Sequence, residues 1–138
     1  MASDMTDPAV VLARTIWREA RGDGEVGMEA VASVILNRAA HPRWWGTDII
    51  SVCLKPAQFS CWDNGTALMA NENAADPSFV LASTIAVDAV RGRLQDSTHG
   101  ADSYYAVYID PPYWTQDAQF TCQIGNQRFY RVELKQPE

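Results

Sequence analysis

Glu19 sits in the run Thr15-Ile16-Trp17-Arg18-Glu19-Ala20-Arg21-Gly22, at the last turn of an expected helix. Apolar Ile16, Trp17 and Ala20 surround it in sequence, and Gly22 and Gly24 follow. A carboxylate placed where a helix gives way to a glycine-rich turn can face a cleft whose neighbours lower the local dielectric. Burial of that kind raises a carboxyl pKa and makes a general acid. Flanking Arg18 and Arg21 equally suit an ion pair with Glu19 on a solvated helix face. Asp23, Glu25 and Glu29 follow. Asp23 shares a face with Glu19 only if the helix survives Gly22. The glycine predicts a turn instead, which leaves Asp23 to orient Arg21 or cap the next helix. Paired carboxylates suit glycoside hydrolysis, where one protonates the leaving oxygen and the other attacks or activates water. One acid is enough where the sugar's own hydroxyl attacks its anomeric carbon.

Aromatic residues supply the second half of that chemistry. Trp44, Trp45, Phe59, Trp62, Tyr104, Tyr105, Tyr113 and Trp114 lie in or beside expected loops rather than at regular core spacing. Such rings stack on sugar faces, although about half of a set this size is expected to serve as core. Gln58, Ser60 and Gln116 stand among them as hydrogen-bonding groups for hydroxyls and acetamido groups. Other catalytic sets are missing. His41 and His99 have no zinc-ligand spacing, there is no G-x-S-x-G elbow and no phosphate-binding glycine loop, so neither a metal nor a cofactor is expected. Asp63-Asn64-Gly65 lacks the rest of a calcium loop and reads as a turn, and the sequon Asn64-Gly65-Thr66 reads as idle.

The elements that must position these groups begin with Asp7-Pro8, a helix start. Val11, Leu12, Thr15, Ile16 and Glu19 follow at helical spacing until Gly22. A second helix is expected from near Gly27 to Ala40, a short third one capped by Thr47-Asp48, and a fourth opened by Asp76-Pro77. After Gly100 the pattern turns β-rich. Strands are expected over 104–109, 120–124 and 128–134, the last two flanking a tight turn at Gly125-Asn126-Gln127. A helical lobe followed by a small antiparallel sheet is an α+β layout, and the groove between them suits an extended polymer.

With 138 residues, 47% hydrophobic and 20% charged, the whole chain reads as a single domain. Eleven Lys and Arg against 17 Asp and Glu give a net charge of −6, which argues against nucleic acid. No apolar stretch spans a bilayer, and residues 1–7 do not resemble a signal peptide. Cys53, Cys61 and Cys122 allow at most one internal disulfide and read as buried thiols.

Glu19-Ala20-Arg21-Gly22, then Gly27, Ala30-Val31-Ala32 and Val34-Ile35-Leu36-Asn37-Arg38, resemble the opening of the spore-cortex-lytic (SleB/CwlJ-type) cell wall hydrolases. Gln58-Phe59-Ser60-Cys61-Trp62 is similar to that family's Q-F-S-x-W signature. Pro112 with Trp114, and Ile124-Gly125-Asn126 with Phe129-Tyr130-Arg131, resemble its closing segment. The resemblance implies a lysozyme-like fold and cleavage of the β-1,4 bond between N-acetylmuramic acid and N-acetylglucosamine. It implies a lytic transglycosylase with one catalytic glutamate, here Glu19. Asp23 stands where the family usually has a second glutamate, and Gln127 where a histidine is common.

On that footing Gln58, Ser60 and Tyr105 are expected to fix the acetamido and hydroxyl groups. Phe59, Trp62 and Tyr130 form the groove wall, and Arg21 and Asp23 support the acid. The expected partner is the peptidoglycan glycan strand, bound by a monomer. Without a signal peptide the chain fits a phage-type endolysin made in the cytoplasm and released to the wall through a holin-type pore. Two alternatives stand beside this one: a hydrolytic muramidase using Asp23 or another carboxylate, and a non-catalytic wall-binding or virion module.

Overall fold

Residues 5–62 and 75–136 are described by the computed structural model. The turn at Asp63-Asn64-Gly65 and the sequon at Asn64-Gly65-Thr66 lie outside them. The first helix, α1 (Pro8–Ala20), starts as its sequence dictates: Asp7 accepts from the Ala9 amide at 2.9 Å and Pro8 occupies the first turn. Such a cap contributes about 1 kcal/mol. The buried stripe Val11, Leu12 and Ile16 contributes more, at roughly 1.5–3 kcal/mol for each fully buried side chain. Thr15, also buried, returns its hydroxyl to the Val11 carbonyl at 2.8 Å and costs no unpaired donor. Around α1 pack α2 (Gly24–Ala40), α3 (Ile49–Leu54) and α4 (Pro77–Val90).

The corner between α1 and α2 is tighter than the sequence pattern predicts. A 3₁₀ turn over Arg21–Asp23 reverses the chain, and Gly24 takes φ +70°, a left-handed conformation that favours glycine. Helix α2 therefore opens at Gly24, three residues before its expected start. A Cβ at Gly27 would collide with the side chain of Asp23, so only glycine permits this close packing. Asp23 stands at the N-cap position of α2, but its side chain makes no capping hydrogen bond, and Arg21 is held by Trp17 instead. The Asp23 carboxylate accepts from Asn126 Nδ2 at 3.3 Å and pins the hairpin tip of the sheet to this corner.

Helix α3 is opened by a capping box between Asp48 and Ser51, and α4 by Asp76, which accepts from the Ser78 amide at 2.8 Å. The sheet contains β1 (Ser103–Ala106), β2 (Gln119–Ile124) and β3 (Gln127–Arg131), antiparallel in the order β1-β3-β2. Two expected strands end early. The first stops at Ala106, where the Ile109 amide turns back to the Ala106 carbonyl. The last stops at Arg131 because the buried Asp102 carboxylate takes the amides of Val132, Glu133 and Leu134 at 2.9–3.2 Å.

Strand alternation gives the sheet two different faces. Tyr104, Cys122, Ile124 and Phe129 pack on Ala30 and Val34 of α2. Tyr105, Phe120, Arg128 and Tyr130 share the opposite face. All three cysteines are free, with Cys53 and Cys61 buried. No helix among the described residues is long and apolar enough to cross a membrane.

Candidate active site

Between the helical lobe and the sheet lies a cavity of about 490 Å³. Helix α1 contributes Glu19, half-buried on its last turn, and α2 contributes Arg38. The loop after α2 adds Trp44, which is 51% exposed, and the loop after α3 adds Gln58 and Phe59. From the sheet side come Ser103 and Tyr104 on β1, Tyr113 and Trp114 on a 3₁₀ turn, and Val132 and Glu133 on the tail.

Two groups beside Glu19 are neutral, and the arginine of the cavity is held by other partners. Cys61 donates its thiol to Glu19, and burial, followed by Glu19's charge and that hydrogen bond, pushes the thiol up to about 12. Burial likewise pushes the Tyr104 phenol up, helped by the charge of Glu19 and opposed by Arg38. Both are therefore uncharged beside Glu19 at neutral pH, and Cys61 is a donor to it. Arg38 is buried, which pulls its guanidinium pKa down, while Tyr104 and Asp102 offset part of that effect. Its Nε donates to the Asp102 carbonyl at 2.7 Å and its Nη1 to Gln58 Oε1 at 3.3 Å. The rings of Trp44, Trp45 and Phe59 lie 5.4–5.9 Å from it. This arrangement fixes the side chain of Gln58, whose neighbour Ala57 takes φ +67°, a conformation that costs a residue with a Cβ some strain.

Among the residues singled out from sequence, the structure brings Glu19, Gln58 and Phe59 together in the cavity. Ser60, Trp62, Tyr105, Tyr130, Arg21 and Asp23, expected to act beside them, do not line it. Trp62 is a core pillar whose indole donates to Thr15 Oγ1 at 2.9 Å, one turn below Glu19. That bond is what brings neighbouring Cys61 against the acid. Ser60 is exposed on the same 3₁₀ turn. Arg21 stacks 4.3 Å over Trp17 and donates to the Trp17 carbonyl, and Asp23 holds the hairpin. Trp17 itself faces α4, bonding Ser78 at 2.8 Å, so Phe59 rather than Trp17 gives Glu19 its aromatic neighbour in the cavity.

Tyr105 and Tyr130 are stacked on the far face of the sheet, 5.9 Å apart. The tyrosine of β1 that lines the cavity is Tyr104, because a one-residue step along a strand changes face. Of the eight loop aromatics, Trp44, Phe59, Tyr104, Tyr113 and Trp114 line the cavity, while Trp45 and Trp62 are core. Arg38 and Glu133 were not anticipated as cavity residues. Arg38 had a signal: it extends the buried stripe Val31, Ile35 of α2, where an arginine requires partners. Glu133 had none, since its position depends on capture of the tail by Asp102. No group of three or more His, Cys, Asp or Glu side chains able to hold a metal occurs among the described residues.

A family model described as cell wall hydrolase matches residues 22–130, beginning three residues after Glu19. The catalytic domain of the germination-specific lytic transglycosylase SleB from Bacillus anthracis is similar in structure, with TM-score 0.72 and 23% identity. That match covers 94% of this chain and 96% of the other. The catalytic domain of the Bacillus cereus SleB protein gives TM-score 0.70 at 23% identity, over 90% of this chain and 89% of the other. Likeness at this identity establishes a shared lysozyme-like fold. No curated protein matches the chain significantly.

Proposed function

The chain belongs to the cell wall hydrolase family, and on that premise we propose that it is a lytic transglycosylase acting on the N-acetylmuramic acid–β-1,4–N-acetylglucosamine bond of peptidoglycan. The observation that carries this reading is Glu19, half-buried on the wall of an aromatic-lined cavity and faced by a neutral thiol and a neutral phenol. Glu19 donates its proton to the glycosidic oxygen as the bond to the anomeric carbon breaks. The muramic C6 hydroxyl then attacks that carbon, and the Glu19 carboxylate takes the hydroxyl proton. Acid and base are the same residue, no water is consumed, and the product ends in an anhydromuramic ring. Gln58, fixed by Arg38, meets substrate amide and hydroxyl groups, and Trp44, Phe59 and Trp114 supply the apolar walls.

Turbidity and product analysis on purified sacculi test this directly. Glu19→Gln should fold as the parent and lose clearing by at least about a thousandfold, the scale of a removed general acid with its transition-state contacts. Clearing by the variant at the parental rate would sink the assignment. Mass spectrometry of the parent's products should show anhydromuramic ends.

One observation favours a second reading. Glu133 lines the same cavity, so a hydrolytic enzyme would use Glu133, not Asp23, to activate water. Reducing muramic ends in the products select that reading. An endolysin role is part of the same proposal, and co-expression with a pore-forming holin should then lyse a host.

A further inference from the structure

The cavity is not the end of the aromatic surface. Trp114 lines it, and the Trp114 ring meets Tyr130 edge-to-face at 5.5 Å. Tyr130 in turn meets Phe120 at 5.4 Å, and Tyr105 closes the set against both Trp114 and Tyr130. Tyr105 and Tyr130 are themselves buried, so they act as the bed of the strip. Phe120 is 48% exposed and Tyr113, beside Trp114, is 85% exposed. Leaving these two large rings in water gains nothing in folding, and exposed rings flanking a bed of packed aromatics mark an interaction surface.

Its edges are cationic in a chain whose net charge is −6. Arg128 lies 4.2 Å over the Phe120 ring and donates to Tyr130 Oη at 3.4 Å. Beyond Phe120 the strip opens into a shallow hollow lined by His99, Gln119, Thr121 and Arg131. Flat rings for stacking, with arginines and amide groups at their rim, match a sugar polymer that carries acidic substituents. Continuity through Trp114 means that a strand leaving the cavity on this side runs onto the strip.

We propose that the outer face of the sheet, from Trp114 over Tyr130 to Phe120 with Arg128 at its rim, is a second binding surface. It holds further sugars of the peptidoglycan strand and their acidic peptide stems. The surface rests on the reading of the cavity as a glycan site, and it gives the enzyme a hold on polymeric wall that a single cleavage subsite does not supply.

Co-sedimentation with purified sacculi, in the Glu19→Gln background so that nothing is cleaved, tests the strip apart from catalysis. Adding Phe120→Ala should weaken retention about fivefold, the worth of roughly 1 kcal/mol of apolar contact. Phe120→Trp, which keeps a ring, should retain binding. Arg128→Gln should weaken it further and flatten its dependence on salt. Val80→Ala, on the exposed side of α4, should leave retention unchanged. Equal retention with Phe or Ala at position 120, or equal loss with Ala and Trp, overturns the proposal, as does failure of the Glu19→Gln protein to sediment at all. Clearing by the unmodified enzyme reports the catalytic reading independently: a protein that clears sacculi but ignores position 120 has the cavity without the strip.

Discussion

Cys61, the fourth residue of Gln58-Phe59-Ser60-Cys61-Trp62, acts directly on Glu19 because its thiol donates to that carboxylate. A thiol is a weak donor, so it stabilises the ionised acid less than a hydroxyl in the same place. Cys61→Ser should therefore lower the Glu19 pKa and move the alkaline limb of the pH–rate profile to lower pH. Cys61→Ala removes the donor and should move that limb to higher pH. Rates on sacculi across pH, with melting curves as a folding control, check both directions, and superimposable profiles would show that Cys61 is mere packing. At this scale the sequence marked Glu19, Gln58 and Phe59 by type and local context. It chose Tyr105 over Tyr104 because adjacent tyrosines in a strand look alike until the sheet's register fixes which faces the helices.

Elements are joined to the site by short polar clamps. Asn37 donates to the Asp96 carboxylate at 3.0 Å and to the Ala101 carbonyl at 2.9 Å, tying the loop before β1 to α2. Burial alone would raise the Asp96 pKa, but the bonds from Thr98, Asn37 and Gly100 outweigh it and hold the carboxyl low. Asp102 is the deeper clamp, fully buried, accepting from the Ser103 hydroxyl at 2.8 Å and from the amides of Val132 to Leu134. Asp102→Ala leaves those amides without their acceptor and should cost about 3 kcal/mol or more. Hydrogen exchange should show protection lost first at residues 132–134, and sacculus clearing should fall as Val132 and Glu133 leave the cavity wall. Unchanged protection there would refute the clamp. Helix starts at Asp7-Pro8, Thr47-Asp48 and Asp76-Pro77 were legible because capping is local. The early ends of β1 and β3 were not, since both depend on partners distant in sequence.

Across the molecule, α2 is shared: Val31 and Ile35 belong to the helical core while Ala30 and Val34 pack under the sheet. A common helix couples the two layers, so thermal unfolding should be one cooperative transition. Val34→Ala, at the buried junction, should cost about 2 kcal/mol. Calorimetry should show the single peak moved down by several degrees, with near-ultraviolet signals from the helical lobe and the sheet lost together. A second peak appearing in the variant would mean that the lobes unfold separately.

Sequence by itself determined the α+β layout, the order of its elements and the acid at the end of α1, because capping, helical spacing and strand alternation act over a few residues. The run of family-like blocks also stood in the sequence. Tertiary structure alone decided what faces that acid: Cys61 through the Trp62–Thr15 bond, Tyr104 through strand register, Arg38 through burial among three rings, and Glu133 through the Asp102 clamp. Those positions come from contacts between segments that are distant in the chain, and no local pattern encodes them.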